Sequence, residues 1–537
     1  MERPNANEDE PESGKPNDIF TKILLSNKGV PRALTDGDIA VKFGRSASRC
    51  FSCRWDKNDN GQVIVPYIIS YKYNDSQVSL ITAAMHELEA VTCVLFVPRA
   101  TEKDAINITS GNGCWSYYGR IGGIQELSLS ANGCIYKGVI QHELNHVLGF
   151  LHEHNRSDRD KYVDILTENI LPGALGNFDI YNSNMELPYD YASVMHYPRD
   201  AFSISHGLDT IVPKPDPNIA IGQRYGPTNL DIVKINTLYQ CDVCSTILSN
   251  SSGTFVTMYN ASEYPKNSSC VWLIRVPLYQ VSLKINTFNT DYSATCTSNY
   301  IQVYDGATKT SPVLWKKSCG MMQIPPLIAT SNLMLIHFVT DWKMPKTGFH
   351  ASYKTIQCGG TFYNPSSNFT SSGYPNEYNP NMNCSWTITA PPRYKISLNI
   401  SDFYLEYSHS CSLDNLTIYD GDNIFSPALF YSCGEVKVPI QTSSGNTMLL
   451  LLRTSLSVQK RGFKASYTTI HRDEHEWAFR ILSGLSTKLN PFIDTTSLRS
   501  LMDSIESPVH VILYLMIFDV HVRERTYLVC CLSDYEA

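Results

Sequence analysis

The sequence predicts a multidomain chain: an α+β domain in the first half, then two copies of one all-β unit. Three observations carry this. Glycine-broken, alternating segments run directly into a histidine-rich stretch with helical spacing, the pattern of sheet strands feeding a helix. Eight cysteines from Cys244 to Cys433 fall into two sets at nearly equal intervals, the mark of an internal repeat. At 537 residues the chain is also too long for a single hydrophobic core.

Composition narrows the function classes. Hydrophobic content of 43% with 18% charged residues is that of soluble globular material. A net charge of -7 leaves no basic excess and argues against nucleic acid as a partner. Sixteen cysteines point to disulfides and an oxidising compartment. Sequons at Asn74, Asn107, Asn250, Asn260, Asn267, Asn368, Asn383, Asn399 and Asn415 agree with secretion. Asn155 also sits in a sequon but lies inside the histidine stretch, and is read as carrying no glycan. The polar, acidic start MERPNANEDEPESGKPND shows no signal peptide, so an extracellular protein would have its true start upstream. The longest apolar run, Val511 to Phe518, falls short of the roughly 20 residues a membrane span needs.

The acidic start is compositionally disordered. A short apolar, helix-compatible piece follows (Ile19 to Leu25), and then LTDGDIAVKFGR. Taken alone, Gly37-Asp38 reads as part of an ordinary turn.

The chemistry concentrates in HELNHVLGFLHEHNRSDRD, residues 142 to 160. On a helix, His142 and His146 share one face, one turn apart, with Glu143 beside them. Gly149 allows the sharp turn that ends such a helix, so His152 can return as a third imidazole. Three neutral imidazoles suit a zinc ion with one open position, where a bound water drops to a pKa of about 7 and a carbonyl is polarised. Glu143 is then placed to take the proton of the attacking water and deliver it to the leaving amine. Further on, SVMHYP (Ser193 to Pro198) places Met195 and Tyr197 close together.

The pattern HExxHxxGxxH is the metzincin signature. Combined with NRSDRD and SVMHY, it resembles the astacin family of zinc metalloproteases, whose fold is an α+β metzincin domain. The resemblance implies that Met195 forms the methionine turn beneath the metal. It implies that Tyr197 is a further zinc ligand that swings away to stabilise the oxyanion; alone, Tyr197 reads as a half-buried tyrosine. It implies that Asp38 binds zinc in a latent proenzyme, although Thr35 stands where an aromatic often precedes the Gly-Asp pair. Residues 1 to 45 would then be the pro-segment and 46 to 241 the catalytic domain. SASRCFSCRWDKNDNGQVIVPYII resembles a mature astacin start, so a trypsin-like cut after Arg45 would free the amine of Ser46. That ammonium would be buried against Glu153, a pairing that forms only after cleavage. Arg49 is a rival cut site.

Cys114 and Cys134 would staple the strand region, and the family arrangement implies a Cys93–Cys241 bridge. Cys50 and Cys53 read as a local disulfide, since no second CxxC and no thioredoxin-like βαβ unit accompanies them. With GRIGG (Gly119 to Gly123), this pair resembles the hatching-enzyme branch of astacins. An edge strand before the helix would pair with extended substrate.

The repeat places Cys244, Cys270, Cys296 and Cys319 against Cys358, Cys384, Cys411 and Cys433. Both copies carry Trp after the second cysteine (Trp272, Trp386), a Tyr-Asp-Gly (Tyr304 to Gly306, Tyr419 to Gly421) and a closing GFxASY. These resemble two CUB domains, antiparallel β-sandwiches, over 244 to 355 and 358 to 469. The resemblance implies the pairs Cys244–Cys270, Cys296–Cys319, Cys358–Cys384 and Cys411–Cys433. Many CUB domains bind calcium through an acidic cluster. Here the positions hold Asp291, Asn299 and Asp341, then Glu406, Asp414 and Ser455, so Ca2+ sites and ordinary solvated carboxylates both stay open. Residues 470 to 537, with Cys530 and Cys531, continue neither repeat and are assigned no function.

The reading that follows is a secreted zinc endopeptidase made as a zymogen. Its partners would be a trypsin-like activating protease and extracellular glycoprotein substrates, those of the egg envelope first. Two alternatives stand beside it: a tolloid-like processor of matrix or growth-factor precursors, and a non-catalytic CUB adhesion protein. No EGF-like cysteine cluster supports the former, and the intact set His142, Glu143, His146, His152 and Tyr197 opposes the latter.

Overall fold

The computed structural model describes residues 19–41, 53–181, 186–205, 207–223, 225–257, 268–276, 279–341 and 348–471. Arg45, Ser46, Arg49, Cys50, Asn260, Asn267 and the segment from 472 onward, with Cys530 and Cys531, lie outside them.

The first residues described form a helix, α1 (Ile19–Asn27), and a short hairpin of β1 (Leu34–Thr35) and β2 (Ile39–Ala40). The central sheet follows: β3 (Val63–Ile69), β4 (Val94–Pro98), β5 (Ala105–Thr109), β6 (Cys114–Tyr117) and β7 (Ile124–Leu129). Its order is β1-β2-β6-β7-β5-β3-β4, with β6 antiparallel to β7. The N-terminal hairpin thus covers the edge that β6 would otherwise present, through a parallel register of Ile39 with Ser116 and Ala40 with Tyr117.

Two helices pack on this sheet. The first, α2 (Asp75–Val91), starts on a capping box in which the Asn74 side chain accepts from Gln77 N and the Gln77 side chain answers back. It buries Ile81, Met85, Leu88 and Val91 at a helical spacing. The second, α3 (Lys137–Val147), carries the histidine motif and is buried over nearly its whole length. A ribbon of β8 (Val163–Ile165) and β9 (Ile211–Pro213) and a last helix, α4 (Asn229–Leu238), complete the domain. Thr228 and Asp231 form a second capping box at the start of α4. Disulfides join Cys93 to Cys241 and Cys114 to Cys134.

The first repeat is a two-sheet sandwich. One sheet runs β10 (Cys244–Leu248), β12 (Ser269–Arg275), β17 (Leu333–Val339), β14 (Tyr300–Tyr304) and β15 (Val313–Ser318). The other runs β11 (Ser252–Val256), β18 (Gly348–Ile356), β13 (Gln280–Asn289) and β16 (Leu327–Ile328). Nine further strands, from β19 (Gly359–Phe362) to β27 (Gly462–His471), repeat this order position for position. Trp272 and Trp386 fill equivalent places, edge-on to Phe349 and Phe463 at 5.3 and 5.1 Å. The recurring Tyr-Asp-Gly has a local cause. Asp305 and Asp420 accept from the backbone of Thr330 and Ser444, and a side chain at Gly306 or Gly421 would strike Ser311 or Ser426. Cys244–Cys270, Cys296–Cys319 and Cys411–Cys433 are bonded, and Cys358 and Cys384 each take part in a disulfide. Among the described residues no helix is long and apolar enough to cross a membrane.

The α+β domain and the first repeat share one apolar core. Val271, Leu273, Tyr304 and Leu335 of the sandwich belong to the same buried cluster as Ile81, Met85 and Leu88 of α2. Arg275 at the end of β12 reaches into the α+β domain, where its Nη1 lies 2.9 Å from Glu87 Oε1. It also donates to Pro227 O, just ahead of α4, while Lys137 Nζ lies 3.2 Å from the other Glu87 oxygen. A buried carboxylate is tolerable there because two cations flank it.

Candidate active site

The site is built where α3 stops. Leu148 N donates back to Leu144 O and Gly149 N to His146 O, and Gly149 takes φ of +93°, which a side chain would resist. The chain then reverses and brings His152 back against the helix, with ring centroids 5.2 Å from His142 and 4.8 Å from His146.

Hydrogen bonds orient two of the rings. His142 Nδ1 lies 2.8 Å from Val194 O and His146 Nδ1 lies 2.7 Å from Phe150 O. Carbonyls only accept, so each Nδ1 carries the proton and each Nε2 turns a lone pair inward. All three rings are buried. His142 Nε2 and His152 Nε2 face each other at 3.3 Å.

Asp38 completes the group. Its Oδ2 lies 3.0 Å from His142 Nε2 and 3.4 Å from His152 Nε2, and its Oδ1 lies 3.3 Å from His146 Nε2. The four ligand atoms fall within 4.8 Å of one another, and among the described residues they form the cluster able to hold a metal. Burial pushes His152 down to about 3, so this ring is neutral and ready to donate a lone pair. Converging lone pairs and a carboxylate in a dry site call for a cation, and three imidazoles with one oxygen are a donor set that zinc accepts.

Glu143 stands beside the cluster, fully buried, with no hydrogen-bond partner on either carboxylate oxygen. Burial first, then the Asp38 charge, push its carboxyl well above the ordinary range. A carboxylate left this poorly solvated has a strong affinity for a proton, as a general base requires.

Met195 is buried in a turn held from α4. Ser193 Oγ donates to Asp231 Oδ1 at 2.6 Å, and Val194 N donates to Asp231 Oδ2 at 2.9 Å. The same turn offers Met195 O to Glu153 N at 3.0 Å and Val194 O to His142. Asp231 therefore positions the floor of the site and one of its imidazoles. Sequence reading missed it, although Thr228 and Asp231 carry a capping-box spacing.

Tyr197 packs against the third imidazole, its ring centroid 4.6 Å from that of His152. Its hydroxyl donates to Asp36 O at 2.6 Å, and its ring stacks on Phe20 of α1 at 3.7 Å. The N-terminal segment thus engages both the imidazoles, through Asp38, and this tyrosine, through Asp36 and Phe20. Glu153, expected to await the amine of Ser46, already has partners in the uncleaved chain. Its Oε1 accepts from Arg156 Nη1 at 3.1 Å and from Asp190 N at 2.9 Å, and Oε2 lies 2.5 Å from Lys234 Nζ.

The N-terminal segment fits the cleft closely. The Asn27 side chain donates to Cys114 O at 2.7 Å and accepts from Cys114 N at 2.7 Å, as a neighbouring strand would. Ser116 N donates to Asp38 O at 3.1 Å. Gly37 is compelled at its place, since a side chain there would meet Phe20, Leu24 and Phe202 at 3.0 to 3.2 Å. Arg32 lies over Trp115, 4.3 Å from its ring centre, and points a nitrogen toward Glu126 Oε2 at 3.4 Å. Asn155 is buried and spends its side-chain nitrogen on Asp179 O at 2.7 Å. In the repeats, Asp341 N donates to Asn299 Oδ1, and Asp414 and Glu406 accept from Ser455.

Residues 52–240 match the profile of the Astacin peptidase family, and 244–353 and 358–467 match that of the CUB domain. The chain is similar to embryonic protein UVS.2 of Xenopus laevis, 49% identical over 84% of this chain and 88% of that protein. It is similar to the astacin-like metalloendopeptidase of Coturnix japonica, 45% identical over 63% of this chain and 83% of the relative. It is also similar to high choriolytic enzyme 1 of Oryzias latipes, 50% identical over 42% of this chain and 84% of the relative.

Proposed function

This chain belongs to the astacin family of zinc metalloendopeptidases, and from that premise we propose that it is a secreted zymogen. Once its N-terminal segment is cut away, it cleaves extracellular glycoproteins, those of the egg envelope first. The observation that carries the reading is the placement of Asp38 against all three imidazoles of a base-flanked site. A segment that fills the metal-ligand sphere and the sheet edge together cannot coexist with a bound peptide.

His142, His146 and His152 would hold the zinc, with Asp38 as the fourth ligand before cleavage and Tyr197 nearby after it. Zinc in this donor set supplies Lewis acidity toward a carbonyl and an acidified water. The residues do the rest. Glu143 takes a proton from the attacking water and passes it to the leaving amine. The edge of β6, freed of Asn27 and β2, pairs with an extended substrate. Tyr197, released from Asp36 O, regains a hydroxyl to offer to developing negative charge. The egg envelope is favoured as substrate by the relative whose name describes a choriolytic enzyme. Secretion is supported by the disulfides and by exposed sequon asparagines such as Asn74, Asn250 and Asn368.

Glu143→Gln in the cleaved enzyme tests the reading. Peptide turnover should fall by about a hundredfold to ten-thousandfold while metal analysis still finds one zinc per chain. Near-normal turnover in that variant, or turnover that survives a chelator, would overturn it. Digestion of an isolated egg envelope, with identification of the new termini, tests the substrate separately.

A further inference from the structure

Arg32 of the N-terminal segment occupies a built cation site on the catalytic sheet. Its guanidinium lies 4.3 Å over the Trp115 ring and 5.6 Å from the Tyr117 ring centre. It donates to the Tyr117 hydroxyl and lies 3.4 Å from Glu126 Oε2. Glu126 is itself steadied by Thr109 Oγ1, which donates to its other oxygen at 2.9 Å. The sheet dictates this grouping. Trp115 and Tyr117 are alternate residues of β6 and so share a face, and Trp115 is in register with Ser128 of β7. Glu126, two residues before Ser128, falls on that same face.

These residues line the edge that substrate must use. β2 sits on β6 in register with Ser116 and Tyr117, and Ser116 N donates to the carbonyl of Asp38, the residue that reaches the imidazoles. A peptide strand that replaces the segment sends every second side chain to the Trp115 and Tyr117 face, within a few residues of the bond to be cut. Aromatic faces with a carboxylate attract a cation, and the Glu126 charge repels an acid.

We propose that Trp115, Tyr117 and Glu126 form a substrate subsite selective for a basic side chain, arginine before lysine, and that Arg32 mimics the substrate there until the segment is removed. The proposal rests on the peptidase reading above. The strength of the preference follows from exposure. The Arg32 and Glu126 side chains are each 35% exposed, so their ion pair is weakened by water and salt. Adding the stacking on Trp115, selection should amount to about tenfold rather than thousandfold.

The test uses the cleaved full-length enzyme and peptides that differ only in having Arg, Lys, Gln or Glu at each position in turn around the scissile bond. At one position Arg should raise kcat/KM about tenfold over Gln, chiefly through KM, with Lys intermediate and Glu below Gln. Raised salt should shrink the advantage. In Glu126→Gln and in Trp115→Leu the ratio of Arg to Gln peptide should fall toward one, each variant being referred to its own Gln peptide. If no position favours Arg in the wild-type enzyme, or if the preference survives both substitutions, the subsite is overturned. Chelator-sensitive cleavage of the Gln peptide would still uphold the peptidase reading, whereas its absence would sink that reading instead.

Discussion

Lys234 on α4 holds Glu153, the residue after His152, with Nζ 2.5 Å from Oε2 and both side chains buried. Arg156 adds a second cation at 3.1 Å. The carboxylate thus has two cationic partners in the intact chain, so an amine freed by cleavage would add a partner rather than supply the first. Lys234→Met should cost about 3 kcal/mol of stability, because a buried charge loses its closest counterpart. Adding Glu153→Gln should recover part of the loss. Chemical denaturation of the four proteins as a double-mutant cycle measures this; equal stability of wild type and Lys234→Met would refute it.

Among the described residues, Asp38 is the carboxylate that spans the three imidazoles. Its removal deletes charge-assisted contacts worth about 1.5 to 3 kcal/mol, hence about tenfold to hundredfold in occupancy of the blocked state. Asp38→Ala should therefore leave an uncleaved chain with at least about tenfold more peptidase activity than its wild-type precursor. A silent variant that still activates on trypsin treatment would remove Asp38 from the latency role.

Latency should depend on pH through Asp36. Burial first, and the Asp38 charge second, raise its carboxyl from 3.8 to about 7 in the docked segment. The docked form therefore keeps a proton that the released form gives up. Its contribution to docking is complete below about pH 4 and is lost as pH rises through about 7. The uncleaved chain should be leakier at about pH 8 than at about pH 5.5, each measured relative to cleaved enzyme. Asp36→Asn should flatten that slope.

Arg275 carries a prediction for the sandwich that follows the peptidase. It brings a cation from one domain to Glu87 in the other, at 2.9 Å. Arg275→Met should destabilise the full chain by about 2 kcal/mol, less than for an isolated buried pair because Lys137 stays beside Glu87. Glu87→Gln in that background should restore some of it. Thermal unfolding followed by calorimetry reads both changes.

The chemical centre was legible because its parts are local. His142 and His146 share a helix face by spacing alone, and Gly149 announces the return of His152. The repeats were legible for a similar reason, since eight cysteines and two tryptophans recur in step. Tyr197 and Asp38 needed the astacin resemblance, because nothing near either residue fixes where it points. What stayed hidden is the long-range polar work. Lys234 and Glu153 are 81 residues apart and Arg275 and Glu87 are 188 apart, with no pattern between them. Arg32 was likewise silent in sequence, because a single arginine in a polar loop looks like a solvated one. Its partners belong to two strands that the chain reaches only later.

The stretch between the peptidase and the first sandwich is very short, and a disulfide leaves from either side of it: Cys241 to Cys93 and Cys244 to Cys270. Across that junction the two bodies bury a common oily seam. A nick at Asp242 would therefore not release two soluble fragments. The pieces would stay together as a non-covalent pair, and prising them apart would expose surface that water rejects. What travels to the substrate is a peptidase with its first sandwich as ballast, not a tethered accessory.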